Sequence, residues 1–219
     1  MSIGFILLIG AGLLILFGAG QRALDRLRLT DRQAILFIAL IIAGGFVPDI
    51  PVTERFAFNI GGALIPLGLC VYLWLKADTA AEKARSILAA LLTGVAVFAL
   101  GRWLPADPAE MVVDPSVAYG VAGGVIAYVL GRSRRGAFIA GTLGVMLANV
   151  GAWVYANAMG ANQQLALGGA GGFDVIVIAG VLAVLLAELI GEIAERVKRG
   201  RQRPTREFVN GDFVRREHR

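Results

Sequence analysis

Residues 136–156 read GAFIAGTLGVMLANVGAWVYA and follow directly on the basic turn Arg132-Ser133-Arg134-Arg135. The stretch carries no charge, and as a helix rising about 1.5 Å per residue it would cross the roughly 30 Å hydrocarbon core of a bilayer. Positive charges flanking such a stretch are typical of the cytoplasmic end of a transmembrane helix. The stretch therefore predicts a membrane fold.

The composition of the whole chain points to the same class of protein. Of its 219 residues 57% are apolar and only 17% are charged, and the mean hydropathy is +0.71. So little polar surface cannot cover a water-soluble domain of this size, and lipid must cover the remainder. The 29 glycines follow no collagen-like repeat and lie mainly inside apolar runs. We predict an all-α, polytopic membrane helix bundle.

Apolar runs separated by polar or proline-containing turns define about seven transmembrane segments. Capping signals at Thr30–Gln33 and Thr79–Glu82 mark two of the helix starts. Asn59, Gly61, Gly62 and Pro66 interrupt the third segment, so we expect it to kink or partly unwind. The predicted segments are residues 3–20, 34–47, 57–75, 79–104, 115–131, 136–156 and 173–193.

The lysine and arginine residues sort by side of the membrane. If the N-terminus lies outside, the cytoplasmic stretches hold 19 of them and the outer loops hold only Arg55 and Arg102. This distribution follows the positive-inside rule and predicts a cytoplasmic C-terminus. We therefore expect a multi-pass protein of the cell inner membrane, with residues 1–195 forming the transmembrane bundle and residues 196–219 a basic cytoplasmic tail.

The same charge pattern indicates which partners to expect. The surrounding partner is the lipid bilayer, and the basic tail should contact anionic lipid headgroups. A membrane-protein partner or a homo-oligomer would fit the glycine-rich helix faces. Nucleic acid is not expected, because the positive charges are divided between the ends of helices. Cys70 lies alone in an apolar stretch and His218 is the single histidine, so we expect no metal site and no cofactor.

The most unusual local sequence is LGGAGGFD at residues 167–174, where a carboxylate follows a glycine-rich stretch at the start of a predicted membrane helix. A charged group at membrane depth costs on the order of 2.5–3.5 kcal/mol and tends to be functional. This makes Asp174 the candidate for a catalytic or binding carboxylate, with Gly169, Gly171 and Gly172 letting a ligand approach the backbone. Alternatively, Asp174 caps the helix that follows it.

Two asparagines lie within predicted membrane segments. The amides of Asn59 and Asn149 either bond to neighbouring helices or coordinate a ligand. Together with the interrupted third segment and the glycine-rich stretch, they complete a predicted polar binding site. Its members are Asn59, Gly61, Gly62, Pro66, Asn149, Gly169, Gly171, Gly172 and Asp174.

Three motifs resemble an uncharacterised prokaryotic membrane family, domain-of-unknown-function family 1614. They are NIGGALIP at residues 59–66, AGTLG at residues 140–144 and GGAGGFD at residues 168–174, and the likeness covers roughly residues 57 to 190. The resemblance implies no assigned activity. Family members often carry an aspartate shortly after the Gly-x-x-Gly segment, which invites comparison with presenilin-like intramembrane proteases. This chain has Asn149 in that region, so the resemblance implies an incomplete aspartate dyad.

Three functional hypotheses follow. The first is a non-enzymatic membrane protein that binds a partner or small solute at the predicted polar site. The second is an intramembrane aspartyl protease relative, inactive if its dyad is incomplete. Paired aspartates must lie about 3 Å apart, and sequence spacing does not bring together any two of Asp49, Asp114 and Asp174. The third is a small-solute or proton-coupled transporter, for which Glu188 is deep enough in the last segment to carry a proton.

Overall fold

The computed structural model describes residues 29–103, 115–131, 133–171, 174–201, 206–209 and 212–215. The first predicted segment, residues 3–20, lies outside the described residues, as do Asp114 and Gly172. The described chain is mostly helical, as predicted. Two of its helices, Ala80–Trp103 and Arg134–Ala158, are long and apolar enough to cross a membrane by length and composition.

The described part of the chain contains six α-helices. A π-helical turn, Ile60–Leu64, runs directly into the second of them. The helices are α1 Asp31–Gly45, α2 Ile65–Leu75, α3 Ala80–Trp103, α4 Pro115–Gly131, α5 Arg134–Ala158 and α6 Val175–Arg201.

The predicted capping signals are found at the starts of α1 and α3. The Thr30 hydroxyl accepts from the Gln33 main-chain N–H at 3.3 Å, and the Gln33 side chain accepts from the Thr30 N–H at 3.0 Å. At α3 the Thr79 hydroxyl accepts from the Glu82 N–H at 3.1 Å. These bonds satisfy donors that have no partner inside the helix, which is why the helices begin where the sequence predicts.

A small sheet corrects the prediction for the third segment. Residues 57 and 58 belong to a strand rather than to a helix: β1 (Ile50–Thr53) pairs antiparallel with β2 (Phe56–Phe58), and β2 pairs parallel with β3 (Leu165–Leu167). Residues 165–167, expected in a polar connection, supply the outer strand. Because β3 lies more than 100 residues from its partner β2, local periodicity gave no sign of that pairing.

Glycines on α5 and α4 let their neighbours approach closely. A Cβ at Gly144 would lie 2.7 Å from the Thr93 side chain of α3, and one at Gly141 would lie 2.8 Å from the Ala179 carbonyl oxygen of α6. A Cβ at Gly120 of α4 would lie 2.8 Å from Ile178 of α6. Only a hydrogen fits at each contact, so these glycines allow the helices to pack closely.

The chain divides into two compact units, Met1–Ala187 and Glu188–Arg219. In the second unit the last helix continues to Arg201, beyond the predicted end at residue 193. A hairpin follows, in which β4 (Arg206–Val209) pairs antiparallel with β5 (Asp212–Arg215). The boundary between bundle and tail at residue 195 remains a prediction.

Candidate functional site

Two parallel strands bring the two glycine motifs side by side. In the β2–β3 register Phe58 lies opposite Leu167, and the next residue on each strand opens a glycine motif. The Asn59 main-chain N–H donates to the Leu167 carbonyl oxygen at 2.9 Å, which carries the pairing one residue further. Residues more than 100 positions apart therefore meet at one edge of the sheet.

Beyond this edge the two motifs interlock through their backbones. A Cβ at Gly62 would overlap the Gly168 carbonyl oxygen, and it would lie 2.7 Å from the carbonyl oxygen of Gly171. Gly168 and Gly171 have φ angles of +75° and +60°. Both angles belong to the left-handed region that side chains other than glycine rarely adopt, so these turns depend on glycine.

The C-terminal end of α1 packs against both glycine motifs. A Cβ at Gly61 would overlap the Gly45 nitrogen and the Ile41 carbonyl oxygen, and one at Gly171 would lie 2.7 Å from the Gly45 Cα. Sequence reasoning missed this side, although the Gly44-Gly45 pair before Pro48 was a signal for close packing at a helix end. We call this cluster of backbones the glycine cradle, consisting of Gly44, Gly45, Gly61, Gly62, Gly168 and Gly171.

Asn59 is buried at the cradle and uses both ends of its amide. Its Oδ1 accepts from the Gly62 main-chain N–H at 2.9 Å and so caps the π-helical turn. Its Nδ2 donates to Asp49 Oδ1 at 2.9 Å and to the Val47 carbonyl oxygen at 3.3 Å. The amide thus links residues 47–49, which follow α1, to the π-helical turn that leads into α2.

Asp174 lies on the other side of the glycine turn, and it is 9% exposed. Its Oδ1 accepts from the Ile176 main-chain N–H at 3.0 Å and its Oδ2 from the Ala170 N–H at 3.4 Å. This is the geometry of a helix N-cap. The Asp49 carboxylate also borders this turn, since a Cβ placed on Gly169 would lie 3.6 Å from Asp49 Oδ2.

The remaining predicted site residues have different surroundings. Pro66 is buried in the first turn of α2, just beyond the π-helical turn. Gly169 is exposed on the glycine turn. Asn149 is half-buried on α5, and among the described residues its amide forms no hydrogen bond with the cradle. Sequence reasoning grouped Asn149 with Asn59, but the hydrogen-bonded cluster instead contains Asp49.

The comparison with known families matches the whole of this region. A model described as Protein of unknown function (DUF1614) matches residues 21–186, well over half of the chain. The chain belongs to this family. The resemblance noted from the motifs at residues 59–66, 140–144 and 168–174 is thereby confirmed, and all three lie within the match. No curated protein and no solved structure matches this DUF1614 chain.

The oxygen atoms at the cradle indicate which ligands this DUF1614 protein can bind there. Asp49 and Asp174 offer carboxylate oxygens, and the glycine turn offers main-chain carbonyl oxygens. Oxygen ligands of this kind suit hard cations and protonated amines. Each carboxylate has accepted only one or two hydrogen bonds, so lone pairs on both remain for a ligand.

Proposed function

We propose that this DUF1614 chain is a multi-pass membrane protein whose glycine cradle binds a small cationic solute. The proposed membrane location is supported by apolar side chains that are exposed on successive turns of two helices. On α3 these are Leu88, Leu91, Leu92 and Val95, each about half exposed or more, and on α4 they are Val121, Val125 and Val129. Soluble monomers rarely expose continuous apolar stripes of this length, whereas lipid-facing helices do.

The observation that carries the binding proposal is the arrangement of two carboxylates around one glycine turn. Asp49 is held by Asn59 at 2.9 Å, and Asp174 is held by the N–H groups of Ala170 and Ile176. Within the described residues neither carboxylate forms an ion pair with a lysine or arginine. A bound cation would favour the ionised form of both carboxylates.

The two carboxylates differ in exposure, which suggests how a solute would enter. Asp49 is exposed, whereas Asp174 is buried beneath the turn. A cation would first meet Asp49 and then come within reach of Asp174 and the glycine carbonyl groups. The rigid backbone contacts of the cradle keep these oxygens in place before the ligand arrives, which lowers the entropic cost of binding.

The proposal is tested by thermal unfolding of the full chain in detergent. The probes are sodium, potassium and methylammonium chloride, each balanced to constant ionic strength with choline chloride, whose quaternary nitrogen has no N–H to donate. We expect at least one probe to raise Tm in a saturable manner, because a ligand that binds the folded state stabilises it. Asp174→Asn and Asp49→Asn should each abolish the rise.

Asp78→Asn is the matched control, because Asp78 is an exposed carboxylate bound to Arg135 and not to the cradle. It should keep the full rise in Tm. If Asp174→Asn fails to fold, the exposed Asp49 still provides the test. The proposal is wrong if none of the three probes raises Tm, or if Asp78→Asn loses the rise as completely as Asp49→Asn.

A second candidate is an aspartyl hydrolase, because the carboxylates of Asp49 and Asp174 both border the glycine turn. Two carboxylates that share a proton can activate water for peptide hydrolysis. The test is incubation of the full chain in detergent with single-pass membrane peptides, followed by mass spectrometry. Cleavage should disappear in both Asp49→Asn and Asp174→Asn, and cleavage that survives either substitution contradicts this candidate.

A further inference from the structure

A second polar site lies at the opposite end of the small sheet, where the turn between β1 and β2 meets the end of α5. Here a groove of about 470 Å³ is lined by Thr53, Glu54, Arg55, Trp153 and Asn157. We call it the hairpin groove. It lies beside the first residues of β2 and β3, whereas the glycine cradle follows their last residues, so the two sites are separate.

The walls of the hairpin groove are held by hydrogen bonds. Trp153 Nε1 donates to the Gln163 carbonyl oxygen at 2.9 Å, and Asn157 Nδ2 donates to the same oxygen at 3.1 Å. The Leu165 N–H donates to the Arg55 carbonyl oxygen at 3.0 Å and fixes the hairpin turn to the chain that follows α5. The Trp153 ring also packs on Phe56, with 5.3 Å between ring centroids.

The groove presents two opposite charges that are not used within the protein. Glu54 and Arg55 are adjacent and exposed, and within the described part of the chain neither forms an ion pair. A carboxylate and a guanidinium on adjacent residues, beside an indole ring, match a ligand with one ammonium group and one acidic group on a short carbon chain.

One buried atom at the groove also lacks a partner. Asn157 Oδ1 is buried and forms no hydrogen bond, although the Nδ2 of the same amide donates to two carbonyl oxygens. An unpaired buried acceptor is destabilising and calls for an explanation. Because this oxygen has almost no accessible surface, a ligand in the groove would reach it only if the Asn157 side chain moved.

We propose that the hairpin groove binds a zwitterion of the phosphoethanolamine type, with its phosphate on Arg55 and its ammonium towards Glu54. This chemistry has two sources, a free phosphoethanolamine and the headgroup of phosphatidylethanolamine. The proposal does not depend on the cradle binding a cation, because none of the groove residues belongs to the cradle.

The test is calorimetric titration of the detergent-solubilised full chain with free phosphoethanolamine. The comparison probes are ethanolamine, which carries only the ammonium group, and inorganic phosphate, which carries only the acidic group. Both should bind much more weakly than phosphoethanolamine. Arg55→Gln should weaken binding roughly tenfold or more, as expected for loss of hydrogen bonds to a charged group. Arg102→Gln is the control, because that guanidinium lies over Tyr155, 4.3 Å from the ring centroid, and does not line the groove.

The source is decided by repeating the titration in nanodiscs of phosphatidylcholine with and without phosphatidylethanolamine. If phosphatidylethanolamine lowers the apparent affinity for the free probe, the lipid headgroup occupies the groove. If it has no effect, the ligand is the soluble molecule. The proposal is overturned if the unmodified chain shows no saturable binding of phosphoethanolamine, or if Arg102→Gln weakens binding as much as Arg55→Gln.

Discussion

Asn59 Nδ2 donates a 2.9 Å hydrogen bond to Asp49 Oδ1, and the same amide caps the π-helical turn through Gly62. One side chain therefore both starts a helix and positions an acidic group beside the glycine cradle. Because Asn59 is 2% exposed, water cannot replace these bonds if the amide is removed. The stability of the helix start and the position of the carboxylate are thus linked.

Replacing Asn59 with alanine should destabilise the protein by about 1–2 kcal/mol, the usual cost of removing a helix N-cap. The free energy of unfolding, measured by denaturant titration in detergent, provides the check. Asn149→Ala is the matched control and should cost less, because in the described residues the Asn149 amide forms no hydrogen bond. Equal losses in the two variants would contradict the capping role of Asn59.

Gly62→Ala should be severely destabilising, by more than roughly 2 kcal/mol, since the added methyl group would overlap the Gly168 carbonyl oxygen. Gly68→Ala, in the helix that follows, makes the same chemical change where a Cβ meets no atom within 4 Å. It should stabilise the protein by up to about 1 kcal/mol, because alanine loses less backbone entropy than glycine. The unfolding midpoints of the two variants should move in opposite directions. A shift of both midpoints in the same direction would contradict the close packing of Gly62 on Gly168.

Arg135→Gln should destabilise the protein, because Arg135 connects the turn after α2 to the start of α5. The Arg135 guanidinium donates to the Lys76 carbonyl oxygen at 2.6 Å and to Asp78 Oδ2 at 2.8 Å, and its Nε lies 3.5 Å from Glu82 Oε1. Its side chain is only 11% exposed, so the loss should be about 1.5–3 kcal/mol. Asp78→Asn should cost less, because the Asp78 side chain is 45% exposed and water screens the pair. Comparing the unfolding free energies of both variants checks this order, and the reverse order would contradict it.

The proposed membrane topology predicts that the turn between β1 and β2 and the residue after α2 are labelled from opposite sides. In a Cys70→Ala background, Glu54→Cys should react with a membrane-impermeant maleimide from outside intact cells, whereas Lys76→Cys should react only after lysis. Both positions are exposed, so accessibility within the protein does not limit the reaction. Labelling of both cysteines in intact cells would overturn the predicted orientation.

Several parts of the fold could be predicted from the sequence because their causes are local. Apolar runs, the Thr30 and Thr79 caps and the prolines define helices through interactions within a few residues, and most helix boundaries agree to within a few positions. The unusual character of residues 59–66 and 168–174 was also visible, because glycine and asparagine are costly inside apolar helices. The family followed from the same motifs.

The helical class, the family and the unusual residues of each glycine motif follow from the sequence alone. The contact between the motifs, the packing of Gly45 on the cradle and the hydrogen bond from Asn59 to Asp49, rather than to Asn149, depend on the folded structure. The physical reason is the range of the interactions. A cap or an apolar face depends on residues three or four positions apart, whereas the β2–β3 pairing joins segments more than 100 residues apart and forms only when the whole bundle packs.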